Sequence, residues 1–380
     1  LYVLDITGSE SMFATLYAVS NIPLLLGPIG GAVADRFNRR NLMVIFDFAS
    51  SAIVMCLVFL MAAGNTSTLM IGTVMVLLSA VSSVYTPAVT ASIPLLVSED
   101  KLEGANGIVQ AVQALSSVAA PIMGGILYSA LGVQTLIIIS GISFFLSAVM
   151  EIFIKIPFVE RSRDNGIIPT IAGDLKEGFI YVSKVPFILK AMVLAALLNL
   201  ILGPYFIVGT PIVLRVTMTS TDIMYGIGMG LINAASILGA FCVSAFSKKL
   251  RINTIHYLLL IVTVLFLPLA LAVSPLLLDL GYYPSFLLFV ACAVPVAMIM
   301  TMLDIILITR VQKRTPNENL GKVMAIILAA ARCAAPLGQI IYGFLFEVFN
   351  DWIYIPTLIV AGAMFLVTIL TKRILHNEEG

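Results

Sequence analysis

Asp304 and Arg332 are the residues of this sequence best placed to do chemistry, because each stands inside a long apolar run. An ionisable group at membrane depth is costly and is kept for ion pairing, proton relay or ligand binding. The two flank the loop Arg310–Gly321 on consecutive antiparallel segments, six and eleven residues from its ends. A rise of 1.5 Å per residue separates their depths by about 7–8 Å, a gap that a long arginine side chain can close. A working pair inside a cavity and a fixed anchor between two helices both fit this spacing. Asp5, at the outer end of the first short apolar segment, is a further candidate to attract protons or cations. Gln113, Asn233 and Gln339, with Gln110 and Asn199, are uncharged polar groups inside apolar runs and candidates to face a cavity. Asp47 and Glu151 lie nearer to basic residues (Arg40 and Lys155) and read as anchors at the membrane interface.

Other chemistries lack their parts. No G-x-x-x-x-G-K-[ST] is present, since Gly321-Lys322 is followed by Val323, so no P-loop nucleotide hydrolysis is expected. His256 and His376 are the two histidines, and neither belongs to an H-E-x-x-H pattern. Cys56, Cys242, Cys292 and Cys333 all fall in apolar runs and read as packing residues, not metal ligands or disulfides. A net charge of +1 offers no basic field for nucleic acid. The expectation is therefore no enzyme, no metal and no cofactor.

The elements that would position these residues follow from composition. With 60% hydrophobic and 11% charged residues and a mean hydropathy of +1.09, the chain cannot cover itself with a water-facing surface. A membrane helix needs about 20 apolar residues. Such runs lie near 11–34, 42–62, 68–90, 106–130, 134–156, 187–209, 223–246, 254–274, 285–309, 322–347 and 352–371, which makes eleven crossings. Leu1–Thr7 reads as the tail of a truncated first helix, giving a parent of twelve. Lys and Arg crowd one set of loops (Arg36 to Arg40, Lys101, Lys155 to Lys190, Lys248 to Arg251, Arg310 to Lys322, Lys372 and Arg373), whereas the opposite set holds only Arg215. The basic side, with both termini, is expected in the cytoplasm.

Two short patterns recur. Leu26-Gly27 before Asp35 to Arg39 is echoed by Leu238-Gly239 before Ser247 to Arg251, and Ala119-Ala120-Pro121 by Ala334-Ala335-Pro336. The offsets, 212 and 215 residues, each span six crossings. Two six-helix halves related by an axis along the membrane normal fit this pattern: an N-terminal bundle 1–156, a cytoplasmic linker 157–185, a C-terminal bundle 186–374 and a tail 375–380. Leu175, Phe179 and Val182 share a helical face in the linker and predict an amphipathic surface helix there; a plain linker is the alternative. Gly226, Gly230 and Ala234 form a small-residue face for close packing.

Gly31-Ala-Val-Ala-Asp35-Arg36-Phe-Asn38-Arg39-Arg40 resembles the major facilitator signature G-x-x-x-D-R-x-G-R-R. An ordinary basic loop would account for the arginines but not for Gly31 and Asp35. Asn38 stands where the family has glycine, and asparagine tolerates a left-handed turn. The Leu1-Tyr2-Val3-Leu4-Asp5 opening and the loops around Thr86-Pro87 and Thr315-Pro316 are most similar to the branch of macrolide-efflux proteins and the enterobactin exporter. Ala120-Pro121-Ile-Met-Gly124-Gly125 resembles part of the exporters' antiporter motif, G-P-x-x-G-G, with Ala120 in place of glycine. The resemblance implies an all-α polytopic fold in the plasma membrane. It implies a conformational lock at Gly31, Asp35, Arg36, Arg39 and Arg40, and a monomeric, proton-coupled exporter of small hydrophobic or amphipathic molecules. Uptake of a small metabolite, or a receptor built on a transporter fold, are the alternatives.

Overall fold

The computed structural model describes residues 2–27, 30, 33, 37–64, 67–156, 167–246 and 255–375. Among them the structure is helical throughout, without strands. The elements are α1 (Tyr2–Thr7), α2 (Glu10–Asn21), α3 (Arg39–Ala62), α4 (Thr68–Leu96), α5 (Glu99–Ile152), α6 (Ile167–Lys184), α7 (Pro186–Pro204), α8 (Asp222–Phe246), α9 (Ile255–Ala272), α10 (Tyr282–Arg314), α11 (Asn317–Val348) and α12 (Tyr354–Leu375). Nine helices among the described residues are long and apolar enough to cross a membrane. The eleven expected crossings exceed that number for two reasons. Gly132, at φ 74° and ψ 166°, divides α5 into two successive helices across a kink, and much of 28–36 lies outside the described residues. Only glycine adopts such a φ without strain.

Large apolar side chains remain on the surface, Phe59 at 72% and Leu69 at 80% exposure among them. In water they would aggregate; against lipid they are in a matching solvent. Helix starts are set by local chemistry. Ser67 accepts from Met70 N–H at 3.2 Å to cap α4. Asn38 accepts from Asn41 N–H at 3.3 Å to cap α3. Asn38 has φ −61° and ψ 110°, so it is extended and not left-handed. Its amide replaces the glycine as a cap acceptor, which corrects the turn expected there.

The helices gather into two compact units: Leu1–Thr15, Ala114–Ile126 and Leu175–Gly380 form one, Leu16–Gln113 and Leu127–Asp174 the other. The first unit holds an aromatic core. Tyr205 is fully buried, packs edge-on against Phe266 with ring centroids 5.0 Å apart, and shares a hydrogen bond with Thr357 at 3.2 Å. In the second unit, α3 lies close to the second half of α5. Ser51 Oγ donates to Gly141 O at 2.8 Å, and Phe48 meets Phe145 edge-on at 5.5 Å.

The linker helix α6 belongs to the first unit from Leu175 onward. Val182 and Gly178 are buried, but Phe179 is 57% exposed. A Cβ on Gly178 would come within 2.9 Å of Lys322 O, so glycine lets α6 rest on α11 backbone. The expected apolar face is packed at Val182 and exposed at Phe179, and Gly178, which carries no apolar signal, sets the close contact with α11. Glu177 accepts from Lys322 beside it, and that ammonium holds the Glu177 carboxyl below its usual range.

Candidate transport site

Within the first unit, α7, α10 and α11 enclose a cavity of about 280 Å³. Asp304 from α10 and Arg332 from α11 both line it, with Asn199 from α7. The remaining wall is apolar, built from residues such as Ala195, Leu307, Ile327 and Leu328. Asn199 Nδ2 donates to Ala195 O at 3.0 Å, which leaves its amide oxygen as an acceptor. The two charged side chains thus share one apolar-walled space.

The shape of α7 follows from its prolines. Pro204 has no N–H to give to Leu200 O. Gly338 of α11 exploits that carbonyl, since a Cβ there would stand 2.2 Å from Leu200 O. The helix then widens into π turns at Tyr205–Gly209 and Val213–Thr217, joined through Thr210–Ile212. Thr210 N–H reaches back to Tyr205 O, and Met218 N–H to Val213 O at 2.9 Å. Pro211, lacking an N–H, sits in the joining segment.

Arg215, on the second π turn, organises the far end. Its Nε and Nη2 donate to the Asp5 carboxylate at 3.0 and 3.2 Å. Its Nη1 lies 2.7 Å from Asp222 Oδ1 and donates to Ser220 O at 3.1 Å. Thr219 supports this geometry at φ 50°, a strained value for a β-branched residue. Tyr282 Oη donates to Ser220 Oγ at 3.0 Å. Asp5 is therefore held by a guanidinium and does not line the cavity. In the sequence, Arg215 stands out only as the lone basic residue of its set of loops.

The other candidates separate. Pro121 and Gly125 sit at a crossing with α8, where a Cβ on Gly125 would come within 2.2 Å of Asp222 O. One on Gly226 would come within 2.5 Å of Pro121 O, and one on Gly230 within 2.5 Å of Ile122 Cγ1. The antiporter-like motif and the small-residue face of α8 are thus two sides of one contact. Gly124 faces open space. Gln113 is exposed, Asn233 half-buried and Gln339 buried, and none lines the cavity. Arg39 Nη1 donates to Ala91 O at 2.6 Å, and Arg40 Nη2 donates to Ile152 O. Each thereby ties the start of α3 to the end of another helix. Gly31, Asp35 and Arg36 lie outside the described residues. Asn199, one polar group among several within the spans, proves to be the cavity's third polar member.

A family model described as the Major Facilitator Superfamily matches residues 2–302. The chain belongs to the major facilitator superfamily. It is an integral membrane transporter, not an enzyme, with the all-α polytopic fold of that family. "Macrolide efflux protein A" of Streptococcus pyogenes is 23% identical over 352 residues, covering 90% of this chain and 82% of that protein. Among solved structures, a bacterial homologue of the iron transporter ferroportin superposes with a TM-score of 0.70 at 17% identity, covering 96% of this chain and 90% of the other. The nucleoside transporter NupG gives 0.71 at 15% identity, covering 98% and 92%. At these identities the two structures speak for the fold.

Proposed function

We propose that the protein is a proton-coupled exporter of small hydrophobic or amphipathic molecules, working by alternating access between halves 1–156 and 186–374. The observation that carries this reading is the cavity whose apolar wall holds both Asp304 and Arg332. Such a wall accepts the greasy part of a ligand, and the two charges offer opposite handles for its polar groups. Ligand sites usually span about 300–1,000 Å³, so this cavity takes part of a drug-sized molecule. Export over uptake is supported by the relative named for macrolide efflux and by the antiporter-like residues Pro121 and Gly125. Both termini are assigned to the cytoplasm of a plasma-membrane protein by the distribution of Lys and Arg, and the working unit is a monomer.

A proton gradient is a sufficient energy source. One charge crossing 100 mV releases about 2.3 kcal/mol, which at about 1.4 kcal/mol per tenfold sustains roughly a 40-fold gradient of a neutral molecule. The test is uptake of radiolabelled erythromycin into inverted vesicles under an imposed pH gradient. Accumulation that collapses with the gradient, and is lost in Asp304→Asn, is expected. Accumulation of equal size in Asp304→Asn would remove the cavity from the reading.

A further inference from the structure

The cavity wall begins at Ala191 on α7 and ends at Val311 on α10. About one turn further along each helix stand Phe187 and Arg314, four residues before Ala191 and three after Val311. The guanidinium carbon of Arg314 lies over the Phe187 ring, 4.2 Å from its centre. This contact makes α7 and α10 antiparallel here, so both residues stand beyond the same end of the cavity. It also lays a side chain from α10 across the gap to α7, on one side of the space that holds Asp304, Asn199 and Arg332.

The two partners differ in freedom. Phe187 is 4% exposed and packed into the apolar core of the first unit, so its ring is a fixed seat. Arg314 is exposed and stands in the last turn of α10, reaching the ring on a long stem. A guanidinium settles on an aromatic face because the ring's negative face attracts it and its weak hydration is cheaply given up. The helix beneath it is held, since Thr315 Oγ1 donates to Val311 O at 2.7 Å and Thr315 N–H to Gln312 O at 3.4 Å. The movable part is therefore the arginine side chain and not the backbone. Turning it into solvent clears the gap while the ring stays in place.

We propose that Arg314 and Phe187 gate the α7–α10 side of the cavity. With the guanidinium on the ring, water-borne molecules are kept from the wall at Ala191, Ala195 and Val311; with the arginine turned away they reach it. That this passage carries ligand from the cytoplasm rests on the transport reading above, whereas the closure itself does not.

The test is the rate at which a water-soluble methanethiosulfonate modifies Ala195→Cys, a position in the cavity wall. It is run on the purified full chain in detergent, with Cys56, Cys242, Cys292 and Cys333 replaced by alanine, and needs no substrate. Adding Arg314→Gln or Phe187→Leu should raise the rate about two- to five-fold, which at about 1.4 kcal/mol per tenfold matches the roughly 0.5–1 kcal/mol of an exposed cation–π contact. A second reporter, Ala235→Cys, is fully buried on α8 and off the cavity; its rate should not change. An unmoved rate at position 195 in Arg314→Gln overturns the proposal. An equal rise at position 235 does so too, because the variant would then have loosened the whole unit. Should Phe187→Leu fail to fold, the exposed Arg314 position decides alone. A silent erythromycin assay alongside the expected labelling would instead count against the exporter reading and leave the gate standing.

Discussion

Replacing Gly125 by alanine would set a methyl 2.2 Å from Asp222 O and close to Gly226, whereas the same change at Gly124 would meet nothing within 4 Å. The two positions are adjacent in sequence and share helix, depth and chemistry, so only the crossing with α8 distinguishes them. The atom met at Gly125 is a backbone carbonyl that no rotamer change can withdraw. Restoring contact to about 3.3 Å requires α8 and this part of α5 to part by roughly 1 Å, and overpacking of this kind costs about 1–3 kcal/mol. Alanine at Gly124 meets no such obstacle and gains the ordinary helix advantage over glycine, about 0.5–1 kcal/mol. The two variants should therefore move thermal stability in detergent in opposite directions, with Gly125→Ala melting several degrees below wild type and Gly124→Ala at or above it. A Gly226→Ala variant should resemble Gly125→Ala, since its methyl would meet Pro121 O at 2.5 Å. Equal melting of the Gly124 and Gly125 variants would refute the claim that the antiporter-like glycines divide into one packing position and one open one.

Three further outcomes are expected. Arg215→Gln leaves Asp5 and Asp222 facing each other without their shared cation; because these side chains are 18–26% exposed, the loss in stability should be about 1 kcal/mol and shrink in high salt, measured by melting at two ionic strengths. Asn38→Ala should cost about 1 kcal/mol through the lost cap on α3, whereas Asn38→Ser should be nearly neutral; a large loss with serine would mean that the amide does something other than cap. Cysteine introduced at Thr66 should react with an impermeant thiol reagent on intact cells, and cysteine at Asn165 should not; the reverse result would overturn the assigned orientation.

What could be read from the sequence was what leaves a one-dimensional trace. Hydropathy marks the crossings because lipid demands long apolar runs, and Asp304 and Arg332 stand out because charge in such a run is costly. The glycine spacing of α8 is a local pattern, visible for the same reason. The hydrogen bond from Tyr85 to Glu151 is hidden because its partners meet only once α4 and α5 are folded together. Asn38 misleads because a side-chain cap and a left-handed turn both favour the same residue. The part of α6's packed side that Gly178 supplies escapes notice because the residue contributes by being small. The π turns of the α7 segment carry no signature beyond Pro204 and Pro211, and whether such prolines kink, widen or end a helix depends on what lies alongside.

Those two π turns make the segment between Pro204 and Thr217 a record of angular phase. A regular α-helix advances about 100° per residue, so each widened turn amounts to one extra residue spliced into the spiral. Tightening either turn to α geometry would swing everything beyond it by about that angle. Arg215 would leave Asp5 and Asp222, while Asn199, on the other side of Pro204, kept its place at the cavity. The guanidinium and its two carboxylates thus read out the winding of the whole segment, and a single-residue deletion between Tyr205 and Val213 is the most direct way to miswind it.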